Sequence, residues 1–256
     1  MTPTIRRRLN DMITGKPFEG PVRNAYSLVY SYYTQDPNFY YDKQARKIMS
    51  QVLKRDSNCL DVGANEGVFL KDMLKFAPQG NHIAIEPIPE LASRLEEKYP
   101  QVEVHECALS NMTGTSTFQL VTNNPGYSGL RRRHYDFGEP IIREITVRTR
   151  TLDDIYPEDR PLQFVKIDVE GAEYLVVQGG RKTLERTRPF IVFEHGRGAA
   201  DYYEVLPEQV YDLLVDDCGL EISIMEDWLK GEPSLDRESF VDQFDNVTNY
   251  YFLAHP

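Results

Sequence analysis

The stretch Asn58-Cys-Leu-Asp-Val-Gly-Ala-Asn-Glu-Gly67 is an apolar strand running into a glycine turn, and residues 68–76 continue it as an amphipathic helix. A glycine-rich strand-to-helix turn lets backbone approach a ligand and points free amides at it. Upstream, residues 42–54 place Ala45, Ile48, Met49 and Val52 at helical spacing. Downstream, strands at 82–86, 102–108, 162–169 and 190–194 alternate with helices at 88–99, 172–187 and 207–217. Two β-like stretches, 115–121 and 141–148, flank a Gly/Asn/Arg-rich loop, and strands at 220–225 and 250–254 close the chain. Such alternation specifies a doubly wound α/β fold, a mostly parallel sheet covered on both faces. The last two strands are expected to pair as an antiparallel edge at the C-terminus. Ligands in such folds sit at the carboxyl ends of the strands. Residues 1–41 carry Tyr26, Tyr30, Tyr32, Tyr33, Phe39 and Tyr40 and read as an N-terminal cap or lid on one domain, 42–256.

Composition narrows the partners. The 256 residues suit one well-buried α/β domain, and 29 basic against 40 acidic residues leave a formal net charge of −11. That balance argues against a nucleic-acid partner. Arg6-Arg7-Arg8 and Arg131-Arg132-Arg133 are local exceptions that read as solvated runs. Cys59, Cys107 and Cys218 show no CxxC spacing, so the expected setting is a reducing cytoplasm. No signal-peptide core follows the N-terminal arginines, and no apolar run approaches the ~18–20 residues of a membrane span.

Four signals carry chemistry. The turn reads Gly63-x-Asn65-x-Gly67, with Asp61 two residues before its first glycine. An acid there repels pyrophosphate but can hold an ammonium, so the turn suits S-adenosylmethionine better than a phosphate-bearing dinucleotide. Glu86, followed by Pro87, ends the next strand, where a carboxylate can accept from a ribose diol. Cys107 and Ala108 end the third strand and could flank an adenine ring or simply pack in the core. Lys166-Ile-Asp168-Val-Glu170 places three charged side chains on one side of the strand, if it extends that far, and Asp168 falls near the strand end that faces the cofactor, where it is also expected to help bind it. Glu173, in the first turn of the following helix, reads as dipole pairing. Phe193-Glu194-His195 ends the fifth strand, where a histidine could act as general base or sit as a hydrogen-bonded structural residue.

Taken together these segments resemble the FkbM-type family of S-adenosylmethionine-dependent methyltransferases. The pieces that carry the likeness are Asp61-Val-Gly-Ala-Asn-Glu-Gly67, Glu86-Pro87, Ala108-Leu-Ser110 with Gly114, Thr151-Leu-Asp-Asp154, Lys166-Ile-Asp-Val-Glu-Gly-Ala-Glu173 and Phe193-Glu-His195. They span about residues 55–200 in the family's order. The resemblance implies a Rossmann-like methyltransferase fold and, most often, O-methylation in saccharide or natural-product pathways. It also implies that Asp61, Gly63, Asn65 and Gly67 cradle the methionine part of the donor and that Glu86 holds its ribose.

The expected reaction is attack of an acceptor hydroxyl on the sulfonium methyl, with His195 or Asp168, beside Glu170, as the base. Alternatively Asp168, Glu170 and Glu194 could hold a divalent metal such as magnesium that acidifies the acceptor. A carboxyl or nitrogen acceptor and a non-catalytic nucleoside-binding scaffold are the competing readings. A short-chain reductase is disfavoured, because no tyrosine has a lysine four residues later. Asn124-Pro-Gly-Tyr127 lies before the fourth strand and reads as a turn rather than a nitrogen-methylation motif. The expected partner is a small-molecule or saccharide acceptor, with no membrane or nucleic acid, and a homodimer is compatible with the sequence.

Overall fold

The computed structural model describes residues 37–135 and 138–256. Tyr26, Tyr30, Tyr32 and Tyr33 of the expected cap lie outside them. The chain separates into two compact units, Met1–Lys43 and Gln44–Pro256. Helix α1 (Pro37–Val52) contributes Ala45, Ile48 and Met49 to the core of the second unit.

Strand β1 (Cys59–Val62) is fully buried, as its apolar run demands, and leads through the glycine turn into α2 (Val68–Phe76). The alternation continues with β2 (Ile83–Ile85), α3 (Pro89–Lys98) and β3 (Glu103–His105). It resumes with β7 (Phe164–Ile167), α5 (Glu173–Gly179), α6 (Arg181–Thr187), β8 (Phe190–Glu194) and α7 (Pro207–Asp212). After β9 (Glu221–Ile224) come α8 (Met225–Lys230), α9 (Arg237–Asp245) and β10 (Tyr251–His255). Among the described residues these strands form a seven-stranded sheet ordered β3-β2-β1-β7-β8-β10-β9. The order reverses at β1/β7, which pair in parallel, so a crevice opens at their carboxyl ends. Strand β10 runs antiparallel to both β8 and β9 and inserts between them, which makes this end of the sheet the antiparallel one.

Three local readings change. The strand expected over 102–108 bends after β3, where the Cys107 N–H donates to the His105 carbonyl two residues back at 2.9 Å. The next residues, β4 (Ala108–Leu109), leave the main sheet and pair with β6 (Ile142–Arg150), which also pairs antiparallel with β5 (Gly114–Val121). A short helix, α4 (Leu152–Ile155), follows β6, capped by the Thr151 side chain. The helix expected over 172–187 is interrupted at Gly180, and α8 and α9 fill a segment expected to lack helix. No helix among the described residues is long and apolar enough to cross a membrane. Cys59, Cys107 and Cys218 are all buried free thiols.

Candidate active site at the β1/β7 crevice

The glycine turn is shaped by a close approach. Gly63 has φ +77°, and a Cβ there would lie 2.0 Å from the Asp168 carbonyl oxygen. Asn65 takes the left-handed φ of +47° that asparagine tolerates better than most residues. The expectation of free amides in this turn is corrected by the structure. Gly63 and Ala64 both donate to the Ile85 carbonyl at 3.0 Å, Gly67 donates to the Ala64 carbonyl at 2.8 Å, and Asn65 donates to Glu86 Oε2 at 2.8 Å. With these amides engaged, the turn offers shape and carboxylates rather than a phosphate-binding nest.

Glu86 is almost fully buried and accepts a second bond from the Ile88 N–H at 2.9 Å, on the other side of Pro87. Burial pushes its carboxyl up to about 7, against the pull of those two bonds. Each oxygen keeps a second lone pair for a hydroxyl donor. Asp61, on β1, is buried, and among the described residues neither of its oxygens has a hydrogen-bond partner. Burial raises its pKa, with the Lys166 ammonium 3.7 Å away pulling the other way. A buried carboxylate without donors is costly, and a ligand bringing N–H or O–H groups relieves that deficit. The donor set therefore fits a phosphate-free nucleoside bearing an ammonium and a ribose diol. Cys107 belongs to the main core cluster and Ala108 to a smaller one. Burial raises the Cys107 thiol to about 11.

Lys166 on β7 ties the crevice together. Its Nζ donates to the Gly63 carbonyl at 2.9 Å and lies 3.5 Å from Asp168 Oδ2. Burial alone would pull it down, but the Asp168 and Asp61 carboxylates outweigh burial and raise it. Asp168, one residue beyond β7, is partly accessible, its side chain 27% exposed against 1% for Asp61. Tyr251 of β10 donates to its Oδ2 at 2.9 Å. Glu194, at the end of β8, is half-buried and titrates well above the ordinary range because of burial and then the Asp168 and Glu173 carboxylates.

Two expectations from sequence are corrected here. Glu170 does not share a face with Lys166 and Asp168, because β7 ends at Ile167 and the chain turns at Glu170 (φ +60°) and Gly171 (φ +102°). A Cβ at Gly171 would lie 2.4 Å from the Ala199 carbonyl, so the turn admits only glycine there. Glu170 instead pairs with the Arg133 guanidinium. Asp168, Glu170 and Glu194 are thus not convergent. Among the described residues no group of three or more His, Cys, Asp or Glu side chains could hold a metal ion. The donors do not fit the metal the sequence suggested. Glu173 turns back to accept from the Val169 and Gly171 amides at 2.9 and 3.2 Å, satisfying the helix start rather than facing a substrate.

The second correction concerns His195. Strand alternation sends it to the opposite side of the sheet from Glu194, where it stacks on Phe244 and Phe240 of α9 at centroid distances of 4.9 and 5.9 Å. It is 1% exposed, its Nε2 has no hydrogen-bond partner among the described residues, and burial lowers it to about 4. A general base enclosed by phenyl rings has no path to an acceptor. Its burial has a measurable consequence. The unfolded chain takes up the His195 proton below pH ~6.5, whereas the folded chain resists until about 4, so stability falls as pH drops through that window. Compared with wild type, His195→Phe should lose less stability between pH 7 and pH 4, by about 3 kcal/mol in urea unfolding. Glu86 and Glu173 contribute equally to both proteins and cancel. Parallel pH profiles would show that His195 is protonated when folded.

The loop between β5 and β6 borders the crevice. A Cβ on Gly126 would meet the Asn65 side chain at 3.2 Å, and one on Gly129 would meet Glu170 at 3.3 Å. Arg131 and Arg132 are exposed, as expected for a solvated run, but Arg133 is not: it lies over Tyr127 at 5.1 Å and against Glu170.

The sequence profile described as the Methyltransferase FkbM domain matches residues 61–222, which holds the turn, Glu86, Lys166, Asp168 and Glu194. The chain belongs to the FkbM methyltransferase family. Among relatives, the FkbM chain is 29% identical over 173 residues to the 2-O-methyltransferase NoeI of Sinorhizobium fredii, covering 60% of this chain and 69% of NoeI. It is 30% identical over 154 residues to the methyltransferase sdnD of Sordaria araneosa, covering 47% of this chain and 59% of sdnD. Among solved structures, the methyltransferase FkbM of Methylobacillus flagellatus superposes with a TM-score of 0.49 at 15% identity, covering 79% of this chain and 44% of that one. Tyr251 of this FkbM chain lies beyond the matched residues and carries no local motif. Its place beside Asp168 follows from the insertion of β10 next to β8, which pairs Tyr251 with Glu194.

Proposed function

We propose that the chain is an S-adenosylmethionine-dependent O-methyltransferase acting on a hydroxyl of a saccharide or secondary metabolite. The observation that carries this reading is the contact between the glycine turn and Asp168: the turn that grips the donor and an accessible carboxylate are one residue apart in space. The 2-O-methyl specificity in the name of NoeI supports a hydroxyl acceptor. When bound, S-adenosylmethionine supplies a methyl group on a positively charged sulfur.

Asp61, Gly63, Asn65 and Gly67 hold the amino-acid end of the donor in this reading, and Glu86 accepts from its ribose. Asp168 takes the acceptor proton as the acceptor oxygen bonds to the methyl carbon, and the carbon–sulfur electron pair stays on sulfur, leaving a neutral thioether. The crevice chiefly orients the two reactants, which can lower a barrier by ~7–11 kcal/mol in favourable cases. Calorimetry with S-adenosylhomocysteine should show saturable binding by wild type and its loss in Glu86→Ala. A screen of labelled-methyl transfer onto sugars, polyketides and peptides, with the product mapped by NMR, then names the acceptor atom. A phosphate-bearing dinucleotide that outcompetes S-adenosylhomocysteine, or label on nitrogen or carboxyl, would refute the reading.

A further inference from the structure

Asp168 has two carboxylate oxygens in unlike settings. Tyr251 donates to Oδ2 at 2.9 Å, and Lys166 Nζ approaches the same oxygen at 3.5 Å. No hydrogen bond recorded among the described residues engages Oδ1. We propose that Tyr251 is a positioning residue for Asp168, holding Oδ2 so that Oδ1 is the oxygen presented to the acceptor hydroxyl. The proposal rests on the functional reading above and adds to it a residue from outside the family match.

Among the described residues, the charged and titratable groups acting on Asp168 are Lys166 on β7, Tyr251 on β10, Glu194 on β8, Glu173 on α5 and Asp61 on β1. Three of the five are carboxyls, and Lys166 is shared with Asp61. The Tyr251 hydroxyl is the nearer donor, at 2.9 Å against 3.5 Å for Lys166 Nζ, and a bond to the ionised form favours that form. Burial and then the Asp168 charge raise the Tyr251 phenol well above its usual range, so it stays a donor throughout the working pH. A phenol is also rigid, and the Tyr251 backbone is held in register with Glu194 of β8. It therefore fixes the direction of the carboxylate.

The test uses the full chain labelled with carboxyl-¹³C aspartate and saturated with S-adenosylhomocysteine. The resonance that disappears in Asp168→Asn is followed through a pH titration in wild type, in Tyr251→Phe and with 3-fluorotyrosine placed at position 251. Loss of the bond in Tyr251→Phe should move its midpoint up by about one pH unit. The more acidic fluorophenol keeps the shape, donates more strongly and should move it down. Unchanged midpoints in both proteins, with S-adenosylhomocysteine bound as tightly as by wild type, would show that Tyr251 merely packs and would overturn the proposal alone. Failure of wild type to bind S-adenosylhomocysteine would overturn the functional reading and the proposal with it.

Discussion

Asp168→Asn should lower kcat for methyl transfer by about 10²–10⁴-fold, the usual worth of a positioned general base, while S-adenosylhomocysteine affinity stays within a few-fold of wild type. Asparagine keeps the shape of the side chain, and its carbonyl oxygen can still accept from Tyr251. What it lacks is a basic oxygen for the acceptor proton. Lys166 keeps its bond to the Gly63 carbonyl and its 3.7 Å approach to Asp61, so the donor side of the crevice has no reason to collapse. A fall in kcat with unchanged affinity is the signature of an interaction used during the reaction and not in ground-state binding. His195→Phe serves as the contrast: stacked on Phe240 and Phe244 away from Asp168, it should leave kcat nearly unchanged. Full activity in Asp168→Asn, or a loss that follows His195 instead, would remove Asp168 from the reaction.

Gly63→Ala should abolish measurable S-adenosylhomocysteine binding and lower folding stability by about 2–5 kcal/mol. Both figures add the left-handed conformation, which costs a side-chain-bearing residue ~1–2 kcal/mol, to overpacking at ~1–3 kcal/mol. Here the overlap is with backbone: the added carbon would sit 2.0 Å from the Asp168 carbonyl oxygen, and main chain cannot rotate away as a flexible side chain would. Either the turn lifts from β7, breaking the Lys166 bond to the Gly63 carbonyl, or the end of β7 moves and carries Asp168 with it. Both outcomes spoil the geometry that joins donor and base. Thermal unfolding and calorimetry measure the two effects separately. An alanine variant with wild-type melting and wild-type affinity would mean that the turn does not touch Asp168 as described.

The glycine turn, the strand that leads into it and the helix that follows were legible because they are encoded locally. A strand with three apolar residues in four, a positive-φ glycine and a 3.6-residue periodicity each depend on neighbours in the chain, and β1, α2 and β8 lie where those patterns place them. Asp61, Glu86 and Asp168 could be singled out for the same reason, as acids at strand ends beside a turn. What alternation could not supply was direction beyond a strand end. Glu170 follows the left-handed turn away from Asp168 to Arg133, and His195 faces the phenyl rings of α9, a helix whose acidic, weakly periodic sequence hid it.

Sequence alone therefore determined the fold class and the glycine turn, since both rest on short-range pattern. Tertiary structure decided which carboxylate is exposed, which cation neutralises the crevice and which phenol reaches it. Lys166 meets Gly63 from 103 residues away, and Tyr251 meets Asp168 from 83. Pairings of that span are made by sheet order, by β1 lying against β7 and β10 inserting beside β8, and no local periodicity records that order.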